Sequence, residues 1–350
     1  MYSGYKIVCC TAAGRMRYMQ YIFPYVLASD VVDRYDIWVN TTNMQDIEYF
    51  KLMAERYPKV RLVWQPDGIC DGINSINAFY RYCVEDDTIY IKIDDDIVWM
   101  EPDTFEKMVK FRVEHRDAFL VTPQVVNNPM GSYLWQVKGF LNYGRYIGAN
   151  PFDRILWKRG AFAEVLHHYF LGIMEKDPES YRKLYFGPVP VACNRFSINF
   201  VMWFGNDMAK INGQVPGDDE EYLSSVVAPM LGKCNYYNGD CIVAHFAFGP
   251  QRFVLDKSDV LERYGRLCEE LFKKDEEMQK VWQAIQEMKK DIESRLPEIM
   301  AQQPPYPIMK KPFMKRMKAD FKVWQKKMTY EKEKMSGVKF EVNEGNVFAK

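Results

Sequence analysis

The chain has 350 residues, with 47 lysines and arginines against 47 aspartates and glutamates, so no overall field draws it to nucleic acid. With 48% apolar and 15% aromatic residues it is far from a disordered composition, and its length suits one large α/β domain carrying a helical appendage. Its eight cysteines form no C-x-x-C pair, and Cys9, Cys10 and Cys83 sit in apolar runs, which reads as reduced core thiols rather than a disulfide or zinc framework. The start MYSGYKIVCC lacks a basic segment before a long apolar run, and no stretch reaches the ~18 apolar residues of a spanning helix. A cytoplasmic location, or one on the inner face of a membrane, is expected.

The first 125 residues alternate β-rich runs with helical patterns, the signature of a parallel sheet with crossover helices. Strands are expected at Tyr5 to Thr11, Asp36 to Asn40, Val60 to Gln65, Thr88 to Ile93 and Ala118 to Pro123, and helices at Ile73 to Cys83 and Pro102 to His115. In such a sheet ligands bind beyond the carboxyl ends of the strands. Two loops fall there: Thr11-Ala12-Ala13-Gly14-Arg15, small residues that admit a ligand to the backbone followed by a cation suited to phosphate, and Asp94-Asp95-Asp96. From Val125 to Pro190 the pattern is irregular and aromatic, either an acceptor surface or core packing. A β-like stretch around Val189 to Phe204 leads to the acidic helix start Gly217-Asp218-Asp219-Glu220-Glu221 and then to the strand-like run CIVAHFAF. Charged helices follow Asp256, and four prolines between Ala301 and Pro312 read as a helix break and stiff spacer.

The run IYIKIDDDIVWM sets three adjacent carboxylates directly after an apolar strand. Like charges so close cannot all stay ionised cheaply without a cation or outward solvation, and hard oxygen ligands point to Mn²⁺ or Mg²⁺. A solvated acidic turn is the structural alternative. IDDDI after a buried strand resembles the D-x-D motif of the GT-A superfamily of glycosyltransferases, and the early TAAGR resembles the nucleotide-binding first loop of that superfamily. GDDEEYLS is similar to the acidic segment whose carboxylate serves as base in inverting members, and His245 matches a late histidine that adds a metal or phosphate contact. The resemblance covers roughly residues 5 to 255.

It implies a GT-A-like, Rossmann-type open mixed sheet flanked by helices, with a C-terminal helical extension. Residues 1–255 would be catalytic, with a nucleotide-sugar half to about 125 and an acceptor and base half beyond it. Residues 256–302 would form the helical extension, and 303–350 a Pro-rich linker and basic amphipathic tail. It further implies that Asp96, with Asp94 and His245, holds the metal. Thr11, Ala12, Gly14, Arg15, Asp94, Asp95 and Arg252 would surround a nucleoside-diphosphate sugar, with Arg15 and Arg252 reaching the diphosphate. Asp67, at the end of the third strand, would read base or ribose, and Asn74 and Asn77 would contact the nucleotide or cap their helix. The base would be Asp219, with Asp218 and Glu220 left open by the register, and the absence of an H-x-x-G-x-x-K-P-W ending favours inversion.

The expected function is transfer of a sugar to a glycan or lipid-linked acceptor hydroxyl; the competing readings are a sugar nucleotidyltransferase and a noncatalytic, membrane-associated module retaining the fold. From Lys310 to Lys327 eight cations face one acid, Asp320, around a helical stripe of Phe313, Met317, Phe321, Trp324 and Met328. That stripe suits an anionic membrane surface or packing on the domain. No nucleic-acid partner is expected, since no reader motif accompanies the charge.

Overall fold

A computed structural model describes residues 1–307 except 144, 145, 152 and 154, together with positions 321, 324, 325 and 328; the side chains of Ile73 and Asn74 fall outside the description. In chain order the elements are β1 (Lys6–Ala13), α1 (Met16–Ala28), β2 (Arg34–Val39), α2 (Met44–Arg56), β3 (Val60–Val63), α3 (Ile73–Ile76), β4 (Thr88–Ile93), β5 (Ile97–Met100), α4 (Thr104–Glu114), β6 (Ala118–Val126), α5 (Pro129–Val137) and α6 (Gly160–Met174). They continue with β7 (Pro188–Ala192), β8 (Phe200–Phe204), α7 (Gly205–Ala209), α8 (Asp219–Glu221), α9 (Ala228–Met230), β9 (Cys234–His245), α10 (Arg252–Leu255), α11 (Val260–Phe272), α12 (Glu276–Ser294) and α13 (Leu296–Ala301). A π-helical turn, Tyr222–Val227, joins α8 to α9.

The expected mixed α/β sheet is present, nine-stranded among the described residues, in the order β3-β2-β1-β4-β8-β6-β9-β5 with β7 on β9. β3, β2, β1 and β4 run parallel, and β8 enters antiparallel to β4. The chain builds outward from β1 through β2 to β3 and then returns to place β4 on the other side of β1. This reversal opens a crevice between the carboxyl ends of β1 and β4, where the two connections diverge to opposite faces. The first loop and the acidic triplet occupy those ends.

Alternation along the strands divides the core. Ile7 and Cys9 of β1 pack with α1, α2, α11 and α12 on one face, while Val8 and Cys10 meet Trp38, Tyr90 and Trp203 on the other. The helices beyond Asp256 therefore share the main core: Tyr264, Cys268 and Phe272 are fully buried, and Trp282 stacks on Tyr21 at 5.8 Å. The described part of the proline-rich stretch, expected as a helix break and stiff spacer, is docked at Tyr306, whose hydroxyl donates to the Val39 carbonyl at 3.1 Å and accepts from the Gln65 N–H at 2.7 Å. It closes the ends of β2 and β3.

Several local expectations shift for physical reasons. β1 runs on past Thr11 to Ala13 because its ladder to β2 continues through Val39, so Ala12 and Ala13 are strand residues, not loop. The helix expected over Ile73 to Cys83 is one α-turn followed by a 3₁₀ turn, Asn77–Tyr82. The stretch Val189 to Phe204 is two strands, β7 and β8, in different places in the sheet. The region from Val125 to Pro190 contains α5 and α6, and its Trp135, His167 and Phe170 are core residues, which removes those rings from an acceptor surface. No helix among the described residues is long and apolar enough to cross a membrane. Most of the basic stretch from Lys310 to Lys327 lies outside the described residues.

Candidate metal and phosphate centre

β4 and β5 stand four places apart in the sheet order yet are joined by three residues. Four Cα steps reach at most ~14 Å, whereas four strand spacings on a flat sheet need ~19 Å. The sheet must curl, and the turn Asp94-Asp95-Asp96 is drawn into its interior. Asp95 and Asp96 are only 6% and 3% exposed, which excludes the solvated-turn alternative.

The three carboxylates differ in their partners, and Arg15 is shared by two of them. Asp95 ties the two crevice loops together, accepting from the Gly14 N–H at 3.0 Å and from Arg15 Nε at 2.9 Å, with its second oxygen also on Arg15. Gly14 itself passes so close to the Asn40 carbonyl that a Cβ there would meet it at 3.2 Å. Asp94 accepts from the Asn199 amide at 3.0 Å and from Lys92, whose ammonium also donates to the Ile198 carbonyl at 2.9 Å. Asp96 is met through Oδ2 by Arg252 at 2.8 Å and Arg15 at 3.2 Å, and through Oδ1 by His245 Nε2 at 3.4 Å.

His245 is the last residue of β9, and its Nδ1 lies 3.3 Å from the Asn127 carbonyl. A carbonyl only accepts, so Nδ1 carries the proton and Nε2 is turned toward the acids. Asn127 stands at φ +60°, a left-handed conformation that asparagine tolerates better than most residues, and its amide also donates to the Phe246 carbonyl at 3.0 Å. Behind it, His167 is fully buried, with Nδ1 and Nε2 each 2.9 Å from the Tyr264 hydroxyl and the Phe246 carbonyl.

One ligand atom each from Asp94, Asp96 and His245 lies within 4.8 Å of the other two. Two carboxylates and an imidazole suit a divalent ion with oxygen preference, and the nitrogen shifts that preference toward Mn²⁺ over Mg²⁺. The electrostatics divide the two acids. Burial pushes both carboxyls up, but Arg15, His245 and Arg252 more than offset it at Asp96, which is held far below the ordinary carboxylate range. Asp94 stays raised, because burial and the charge of Asp96 together exceed the pull of Lys92.

The acidic helix start stands on the far side of Lys92. Burial opposes the charge on that ammonium, yet Asp94 first and then Asp219 raise its pKa, so one buried cation sits in the field of both acidic groups. Asp219 accepts from the Tyr80 hydroxyl at 2.9 Å. Asp218 is the N-cap, accepting from the Glu221 N–H at 3.0 Å, and Arg195 grips Asp218, Glu220 and Glu221, each at 2.9 Å. The Glu220 carboxyl is raised, burial outweighing Arg195.

The remaining expected residues divide. Thr11 is committed to the Tyr35 hydroxyl at 2.8 Å inside the core. Ala12 is half-buried in β1. Asn77 stands at the C-cap of α3, and its side-chain amide donates to the Val215 and Gly217 carbonyls at 2.9 and 2.8 Å, fixing the loop before Asp219. The Asn74 side chain lies outside the described residues. Asp67 is paired with Arg81 at 2.8 Å and lines, with Gln65, Asn77 and Val215, a cavity of about 430 Å³ beyond β3. Gln251, next to Arg252, is fully buried and bonded to Asn127 and to the Leu156 carbonyl. Lys92, Tyr80, Asn127 and Asn199 were not anticipated. Lys92 carries a readable signal, a lone lysine in an apolar strand two places before Asp94 and therefore on its face.

No family model matches the chain, and no curated protein matches it in sequence. Similar solved structures include a CMP:2-keto-3-deoxy-manno-octonic acid synthetase complexed with CTP, at 11% identity over 75% of this chain and 99% of that one, with a TM-score of 0.39. A mycobacterial protein aligns at 11% identity over 76% of this chain and 75% of its own, with a TM-score of 0.42. A 4-diphosphocytidyl-2C-methyl-D-erythritol synthase from Anaerococcus prevotii DSM 20548 aligns at 11% identity over 75% and 96%, with a TM-score of 0.38.

Proposed function

We propose that this chain is a metal-dependent transferase of nucleotide-sugar chemistry, moving a sugar from a nucleoside-diphosphate sugar to an acceptor hydroxyl with inversion. The observation that carries the reading is the convergence of Asp94, Asp96 and His245 on one point at the β1–β4 crevice, with two arginines beside it. A bound divalent ion supplies Lewis acidity toward a diphosphate leaving group. Arg15 and Arg252, each partly open to solvent, add fork-shaped donors for the same oxygens. Asp219 is the carboxylate chosen to accept the acceptor proton, because Asp218 is engaged as the helix cap and Glu220 by Arg195. Tyr80 holds it in place. The cavity beyond β3 would take the nucleoside.

Nucleotidyl transfer to a sugar is the second reading. The same centre would grip a nucleoside triphosphate, the kind of ligand named with the synthetase above, and the buried ammonium of Lys92 beside Asp94 adds the positive charge that an attacked phosphoryl group requires. Incubation with Mn²⁺ and two substrate panels separates the readings. Release of nucleoside diphosphate from a sugar nucleotide plus acceptor supports glycosyl transfer. Release of pyrophosphate from a nucleoside triphosphate plus a sugar or sugar phosphate moves the assignment to the second reaction. Turnover of neither panel would leave a noncatalytic binding module.

A further inference from the structure

We propose that Arg15 and Arg252 are exchangeable counter-ions, holding Asp96 when no cation is present and passing to a diphosphate when a divalent ion takes that carboxylate, so that cation and diphosphate bind as a coupled pair. This rests on the metal reading above and adds a regulation of the same site. Both guanidinium groups converge on a single oxygen, Asp96 Oδ2, from Arg252 at 2.8 Å and Arg15 at 3.2 Å. Each still holds a buried donor with no partner among the described residues, Nη1 of Arg15 and Nε of Arg252. Such donors call for an acceptor that the protein does not provide. The side chains are 27% and 33% exposed, so the face on which an anion would arrive is open.

The carboxylates and the basic side chains paired with them balance: Asp94, Asp95 and Asp96 against Lys92, Arg15 and Arg252. A divalent cation arriving alone meets two guanidinium groups already seated on its best ligand. A diphosphate arriving alone can recruit those arginines only by stripping a buried carboxylate of its partners. Arriving together, the two bring nearly cancelling charge, and every group ends with a partner of opposite sign. Arg15 need not leave the site to make the exchange, because its Nε stays on Asp95 at 2.9 Å while the other edge turns.

The experiment titrates Mn²⁺ into the full chain and follows the free ion by electron paramagnetic resonance, for wild type, Arg252→Met, Arg15→Met and Arg252→Lys. Removing one competing cation should tighten Mn²⁺ binding about tenfold in Arg252→Met, and Arg252→Lys, which keeps the charge, should stay near wild type. Calorimetry with preformed Mn²⁺–pyrophosphate should show wild type binding the complex at least about tenfold more tightly than pyrophosphate in EDTA, and that gap should shrink in both methionine variants. Circular dichroism confirms that each variant is folded. Folded methionine variants that bind Mn²⁺ no more tightly than wild type overturn the exchange while leaving the metal centre standing. Wild type that binds neither Mn²⁺ nor its pyrophosphate complex overturns both.

Discussion

Asp94, Asp95 and Asp96 occupy a turn between two buried strands, whereas Asp218, Asp219, Glu220 and Glu221 open a helix nearer the surface, and the molecule treats the two acidic runs in opposite ways. In the turn three cations are spread over the three carboxylates, with Arg15 shared by Asp95 and Asp96, and Asp94 and Asp96 are left converging with His245 on a common point. In the helix one arginine gathers three of the four acids, and the first doubles as a cap. Adjacent acids become a candidate ligand set when the fold draws them away from water and supplies enough cations to balance them. Where they remain near water, they are largely helix-start chemistry.

The largest effect is expected at Asp219, the helix acid bonded to the buried Tyr80 hydroxyl. Asp219→Asn should lower turnover by about 10²- to 10⁴-fold while leaving donor affinity intact, as removal of a general base does; steady-state kinetics with full turnover retained would put the base elsewhere. Lys92, which lies between the two acidic runs, gives the next effect. Lys92→Met leaves the half-buried Asp94 without its cation and should cost about 3 kcal/mol in urea unfolding, and a stability unchanged from wild type would mean that water rather than Lys92 carries Asp94.

A smaller, pH-dependent effect tests the backing of the turn. Burial holds the His167 imidazole down to about 3, from an unfolded value near 6.5. The stability it contributes is complete above about pH 6.5 and is lost as pH falls toward 3, because the unfolded chain takes up the proton first. Between pH 7 and pH 5 wild type should therefore lose about 2 kcal/mol more than His167→Gln, measured by denaturant melts at the two pH values; equal losses would show that the ring accepts a proton in place. Smallest is Asp218→Ala, which should cost about 1 kcal/mol as a lost N-cap with turnover retained; a loss of turnover matching that of Asp219→Asn would shift the register of the base by one.

Much of this was legible along the chain. β4 was readable to the residue because Thr88 to Ile93 is apolar, β-rich and bounded by acids on both sides. The triplet and the final histidine were readable because carboxylates and imidazole have few reasons to follow buried strands. What escaped depends on partners distant in sequence. β1 outlasts its apolar run because β2 continues to pair with it, and no local pattern tells that Thr11 will turn to Tyr35. α6 was hidden because its partly exposed face is itself apolar or aromatic, at Ala161, Val165, Tyr169 and Ile173, which blurs the period that would mark it. The allocation of cations, Arg15 and Arg252 to Asp96 and Lys92 to Asp94, follows from the curl of the sheet, which no spacing in the sequence encodes.

The central claim is that Asp94, Asp96 and His245 hold a divalent ion. Its most direct test is Mn²⁺ bound per chain, by electron paramagnetic resonance in the presence of pyrophosphate, for wild type and Asp96→Asn. One ion per wild-type chain, with affinity lowered at least about 100-fold in the variant, is the predicted result. Equal binding by the two proteins, or none by wild type, would contradict it.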